Sequence, residues 1–298
     1  MGSGPVRFGP LRLWVGVGAF ALAGMPVQPA GAQAPASEAR PAAPGAQTPA
    51  AVPSHAGHGA MMGQGGEGGE GGEGGESGAL MSASPDISFA GRLMLVRGHL
   101  AVGIELARAG AWDDAVFHFL HPKEEIYEAL SPELQRRRAP GFIDDLDALA
   151  ARVRAKQGGP ELEAAYRQTL AAVDRAWTTG LPAQERNAPA FVAEVAARTM
   201  RSAAAEYEAA IEDGRIANVV EYQDGHGFLL EADALLNRHA AALRAAPDGE
   251  KDWAELQAAM GVLRPVWPTA QPPARPVLGV AEVIAAVGRL ERAALAWR

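Results

Sequence analysis

From Asp86 to the C-terminus the apolar residues recur at steps of three and four, and almost nothing alternates at steps of two. That period excludes a sheet as the main architecture and requires helices that bury one stripe each. Between 188 and 213, Phe191, Val192, Val195, Ala196, Met200, Ala203, Tyr207 and Ile211 mark one such stripe. The following segment repeats it with Ile216, Val219, Val220, Phe228, Leu229, Leu235 and Leu236, and the turn EDGR at 212–215 joins the two. We therefore expect an all-α domain over 86–298, a helical bundle of about eight or nine helices, scaffolded by this long antiparallel pair.

Punctuation sets the helix limits. Pro122 after His121, Ser131 before Pro132 and Gly159 before Pro160 each read as a helix start, because proline at the first helical position loses no bond. The expected helices lie near 87–109, 112–120, 122–130, 141–156, 160–179, 188–213, 216–245, 250–264 and 277–297. Gly225 and Gly227 inside one helix each cost roughly 1 kcal/mol against alanine, so they mark either a kink or a close approach of another helix.

The chain ahead of this domain is of a different kind. Residues 1–32 carry Arg7 and Arg12, an apolar run from Leu13 to Met25, and Ala30, Gly31 and Ala32 before Gln33. This is the layout of a secretory signal peptide. The apolar run falls short of the roughly 20 residues a membrane span needs, so the expectation is a periplasmic protein with no membrane insertion of the mature chain. Residues 33–85 contain no aromatic residue and no isoleucine, and such a segment cannot offset the entropy of ordering its backbone. It reads as a disordered linker. Within it HAGHGAMM groups His55, His58, Met61 and Met62, imidazole and thioether donors that suit copper, ahead of Glu67, Glu70, Glu73 and Glu76 at three-residue steps.

Composition narrows the function classes. The chain has no cysteine, hence no disulfide, thiolate metal site, covalent haem motif or lipobox. Its formal charge of -8, which loss of Arg7 and Arg12 would make more negative, disfavours nucleic acid as a partner. No serine sits in a strand-turn-helix elbow and no glycine-rich phosphate loop precedes a lysine, so we expect no enzyme.

What remains is metal chemistry or protein interaction. Three of the seven histidines, His99, His118 and His121, fall in GHLAVGIELARAGAWDDAVFHFLHPKEEIY, a helical hairpin with a turn at Gly110. Converging across that hairpin with Glu124 or Glu125, they would bind iron, copper or zinc. A second candidate is the acid stripe Glu221, Asp224 and Glu231, with His226 on another face. Three acids in line would attract a hard cation or form a solvated face paired with arginines. His121 itself is expected to precede a helix and cap it, with Pro122 ending the helix behind it.

Two resemblances bear on the choice. Gly103, Leu106, Gly110, Trp112, Ala115 and Phe119 resemble one tetratricopeptide hairpin, without a second copy at the 34-residue period. That likeness implies a periplasmic interaction module in which the histidines are structural. Residues 206–298, with Tyr207, Asp213, Gly214, Glu221, Tyr222, Trp267, Pro268 and a last helix from Val280 to Leu290, resemble the extracytoplasmic helical segment fused to bacterial high-affinity iron permeases. The permease's membrane helices and Arg-Glu-x-x-Glu motifs are absent, so the resemblance implies an accessory module that passes a metal cation to a periplasmic or membrane partner. Iron is favoured by the resemblance and copper by the linker. An imelysin-type peptidase-like domain shares the exported helical plan, but its GxHxxE pattern is missing.

Overall fold

The computed structural model describes residues 78–298. The expected signal peptide and the linker cluster His55, His58, Met61 and Met62 lie outside the described residues. Eleven α-helices dominate the described residues: α1 Pro85–Arg108, α2 Trp112–His121, α3 Tyr127–Arg136, α4 Ile143–Arg154, α5 Pro160–Gly180, α6 Ala183–Arg186, α7 Pro189–Ala210, α8 Val219–Arg238, α9 Ala240–Ala245, α10 Gly249–Leu263 and α11 Val280–Ala294. The domain is all-α, as the period of the sequence requires.

Helix α1 runs through the middle. It is apolar and long enough to cross a membrane, but 78% of its most apolar window is buried inside the domain. Phe89, Leu93, Val96, Leu100 and Val102 are all fully buried, so apolar residues cover most of its circumference, as in a core helix. Ser84 caps its first turn, accepting from the Ile87 N–H at 3.3 Å. The packed chain reaches further upstream: Leu80 is 1% exposed and sits against Gly91.

Helices α7 and α8 form the long antiparallel pair, but their connection differs from a plain glycine turn. Ile211–Glu212 pairs with Arg215–Ile216 as a two-residue antiparallel ladder. Asp213 and Gly214 at its tip have φ of 50° and 71°, the doubly left-handed turn that matches strand twist. Helix α7 therefore ends at Ala210 and α8 starts at Val219, capped by Asn218. The expected helix 216–245 is likewise divided between α8 and α9 by a break at His239.

Two proline readings are corrected. Pro132 does not open a helix but lies inside α3. Pro122 does not end one: the chain stays helical from α2 into α3 through a π-helical turn, Pro122–Ile126, closed by the Tyr127 N–H on the Pro122 carbonyl. A proline inside a helix lacks one N–H and crowds the preceding turn, and a wider turn relieves both. His121 consequently sits within a continuous helix and makes no side-chain cap.

Gly225 and Gly227 mark close approach, inside a helix that runs unbroken from Val219 to Arg238. A Cβ built on Gly227 would stand 2.7 Å from the Gly98 carbonyl carbon and nearer still to its oxygen. One on Gly225 would stand 2.6 Å from Trp267 Nε1. Helices α1 and α8 thus touch backbone to backbone at Gly98 and Gly227, beside His99, Asp224 and His226.

The proline-rich passage between α10 and α11 is tied back to the pair. Tyr207 donates to Leu278 O at 2.7 Å and Tyr222 to Thr269 O at 3.3 Å, while Trp267 packs edge-on against Tyr207.

A candidate metal centre between α1, α2 and α8

The glycine contact sets the site. With α1 and α8 in backbone contact, residues flanking Gly98 and Gly227 are pressed together, and α2 folds back along α1 after Gly110, whose φ of 80° makes the turn. Gly103 permits that second approach: a Cβ there would meet Phe119 at 2.9 Å and His118 Cβ at 3.2 Å. Three elements distant in sequence therefore deliver His99, His118 and Asp224 to one place.

All three are buried, at 0%, 0% and 1% exposure. The Nδ1 atoms of His99 and His118 each lie 2.7 Å from the same oxygen, Asp224 Oδ1. His121 Nδ1 stands 3.5 Å from the other oxygen, Oδ2, which makes no hydrogen bond. The His99 ring sits edge-on to Phe228 and, 5.5 Å between centroids, to His121.

Both ring nitrogens of His118 have polar partners, Nε2 at 2.8 Å from the Gln223 side chain and Nδ1 at 2.7 Å from Asp224 Oδ1. Burial by itself would raise the Asp224 pKa, but the His99 and His118 rings, with the His118 hydrogen bond, hold it well below the usual carboxylate range. Burial likewise opposes charge on His121, yet neighbouring Asp224 outweighs it and raises that ring's pKa. The carboxylate is thus held ionised although it is buried.

As a donor set this fits a borderline divalent ion. One donor atom from each of His99, His118 and Asp224 lies within 4.8 Å of the others. Ligands around a tetrahedral ion at ~2.0 Å stand about 3.3 Å apart, a spacing that donor atoms all lying within 4.8 Å of one another can reach with small adjustments. Gln223, holding His118 by its second nitrogen, supplies the outer contact that fixes the tautomer of a ligating imidazole.

The other candidates are distributed differently. Glu125 approaches His121 Nε2 at 3.9 Å, whereas Glu124 is exposed on the π turn and Glu221 accepts from its own helix cap, Asn218, at 3.2 Å. The solvated acid stripe is a correction. Asp224 and Glu231 are buried because α1 covers that face of α8, and only Glu231 takes the expected arginine, Arg97 at 2.7 Å. Asp224 belongs with the histidines and not with Glu221. Sequence reasoning missed Gln223 altogether, and also the link of His226 to Glu105 at 2.9 Å and to Trp267 O at 3.2 Å. The glycines on either side of His226 were the available signal, since they mark where a neighbouring backbone comes close.

Residues 182–296 match the family described as the iron permease-associated 4-helix bundle domain. The match covers α6 to α11, and so includes Gln223 and Asp224 but neither α1 nor α2. Comparison with curated proteins and with solved structures yields no significant match. The histidine-carboxylate centre therefore straddles the matched bundle and the helices that precede it.

Proposed function

We propose, with the iron-permease-associated bundle as premise, that this chain is an exported, non-enzymatic accessory of iron transport that binds a metal cation and passes it to a membrane partner. The observation that carries the reading is the buried convergence of His99, His118 and Asp224, 0 to 1% exposed, from three separate helices. Burying one carboxylate and two imidazoles costs several kcal/mol unless their charges are compensated, and a bound cation compensates them. The iron connection comes from the matched segment, which contributes Asp224 and Gln223.

Two imidazoles and a carboxylate suit Fe(II), and also Zn(II) and Cu(II). Among these donors there is no thiolate or thioether to select Cu(I), so a Cu(I) reading rests on the linker residues His55, His58, Met61 and Met62. His99 and His118 would hold the ion through Nδ1, Asp224 would offset one of its two charges, and Gln223 would keep His118 oriented.

Calorimetric titration of the chelator-treated chain from Gln33 onward, with Fe(II) under anaerobic conditions, Zn(II) and Cu(II), tests this. One tight equivalent is expected, weakened at least ~100-fold by Asp224→Asn and by His118→Ala with far-ultraviolet dichroism unchanged. Equal binding by wild type and both variants would refute the assignment.

A further inference from the structure

Among the described residues, the buried set connects to the surface through His121. This ring presents Nδ1 inward, 3.5 Å from Asp224 Oδ2, and Nε2 outward, 3.9 Å from Glu125 Oε1. Exposure rises along the same line: 1% for the Asp224 side chain, 18% for His121 and 26% for Glu125. The inner oxygen it faces is the one that makes no hydrogen bond, whereas Oδ1 is shared by His99 and His118. Its place in the chain is equally distinctive. His121 is the last residue before the π turn that Pro122 forces, and Glu125 is within that turn. Such turns insert one residue into the helical ladder and recur at functional sites.

Resting on the metal-binding reading above, we infer that His121 is an exchange ligand. It accepts the cation from Glu125 at the surface and delivers it to the His99, His118 and Asp224 set, so that it governs how fast the centre fills and empties and not how tightly it holds. The physical need is clear. A hydrated divalent ion cannot shed all its water before meeting a fully buried carboxylate, because the dehydrated intermediate has no compensation. A carboxylate at the rim and an imidazole halfway replace those waters in turn. A ring with one nitrogen on each side serves this step, since it engages the ion from the solvent side through Nε2 and from the buried side through Nδ1. His99 and His118 cannot do so, being 0% exposed.

The test uses Co(II) as an optical probe of imidazole coordination with the chelator-stripped chain from Gln33. Uptake is followed by stopped-flow mixing and release by transfer to a competing chelator, with equilibrium affinity measured in parallel. His121→Ala and Glu125→Gln are expected to slow both uptake and release at least about tenfold, with Kd within about threefold of wild type. His118→Ala, in contrast, loses affinity. An affinity loss for His121→Ala as large as that for His118→Ala makes His121 a permanent ligand and overturns the inference. Unchanged rates in both variants also overturn it. In either case wild type still binds Co(II), which separates failure of the exchange role from failure of the metal reading; a wild type that binds none sinks both.

Discussion

Replacing Gly227 by alanine tests the physical origin of the site. The new Cβ would lie 2.7 Å from the Gly98 carbonyl carbon and 3.3 Å from its Cα, with the oxygen nearer still. Ordinary carbon contacts stand at about 3.5–4.0 Å, so α1 and α8 must separate by roughly 1 Å. Both colliding groups are backbone in helix interiors, and no rotamer change relieves them. Overpacking of this kind costs about 1–3 kcal/mol, and the rigid partner places it at the upper end. Alanine's better helix propensity returns up to ~1 kcal/mol, leaving a net loss of about 2 kcal/mol. For a domain of this size that is a fall in Tm of roughly 4–8 °C. Gly261 supplies the control: it is interior to α10, and a Cβ there would meet nothing within 4 Å. Gly261→Ala is expected to stabilise by ~0.5–1 kcal/mol through propensity alone. Urea unfolding of the three proteins decides the matter, and metal affinity should fall with Gly227→Ala because His99 and Asp224 flank the contact. A Gly227→Ala protein as stable as wild type would refute the close-approach argument.

Other expectations follow from the same geometry. Leu80→Ala should cost about 2–4 kcal/mol in denaturant unfolding, because a 1% exposed leucine upstream of α1 fills space against Gly91. A divalent ion at a hundredfold excess over its wild-type Kd should raise stability by ~2.7 kcal/mol in wild type and by no more than ~0.4 kcal/mol in Asp224→Asn, as read by thermal melting. Burial, reinforced by the charge of Glu231, pushes the Tyr166 phenol up to about 12, with Arg97 and Arg108 opposing. A folded-state pKa above the unfolded value of ~10 means that Tyr166 contributes stability fully below pH ~10, and that this contribution declines as pH rises toward 12. Alkaline unfolding of Tyr166→Phe should lack that component; identical pH profiles would contradict the shift.

Much of this was legible in the chain. Apolar spacing located the α7–α8 pair, and Gly110, Gly103 and Phe119 located the α1–α2 hairpin, because both depend on neighbours within a few turns. The convergence of His99 with His118 was legible for the same reason, since the hairpin is local. Asp224, a candidate ligand on the acid stripe with Glu221, stands instead against His99 and His118. A helical wheel orders the residues around α8 but does not say which faces are covered, and a covered face turns a solvated acid into a buried ligand. Pro122 was misjudged in the same way: locally a helix breaker, it is held in a continuous helix by packing of α2 and α3 on α1 and accommodated as a π turn.

Sequence by itself determined the helical class, the hairpins and the donor types available, because periodicity, turn chemistry and the lack of cysteine are properties of short segments. Only the tertiary structure decided which donors meet. His118 and Asp224 are 106 residues apart, and their 2.7 Å contact depends on Gly98 and Gly227, which let α1 and α8 close backbone to backbone, and on Gly103, which lets α2 close on α1. That is a fact about the packed faces of two helices, which no local pattern encodes.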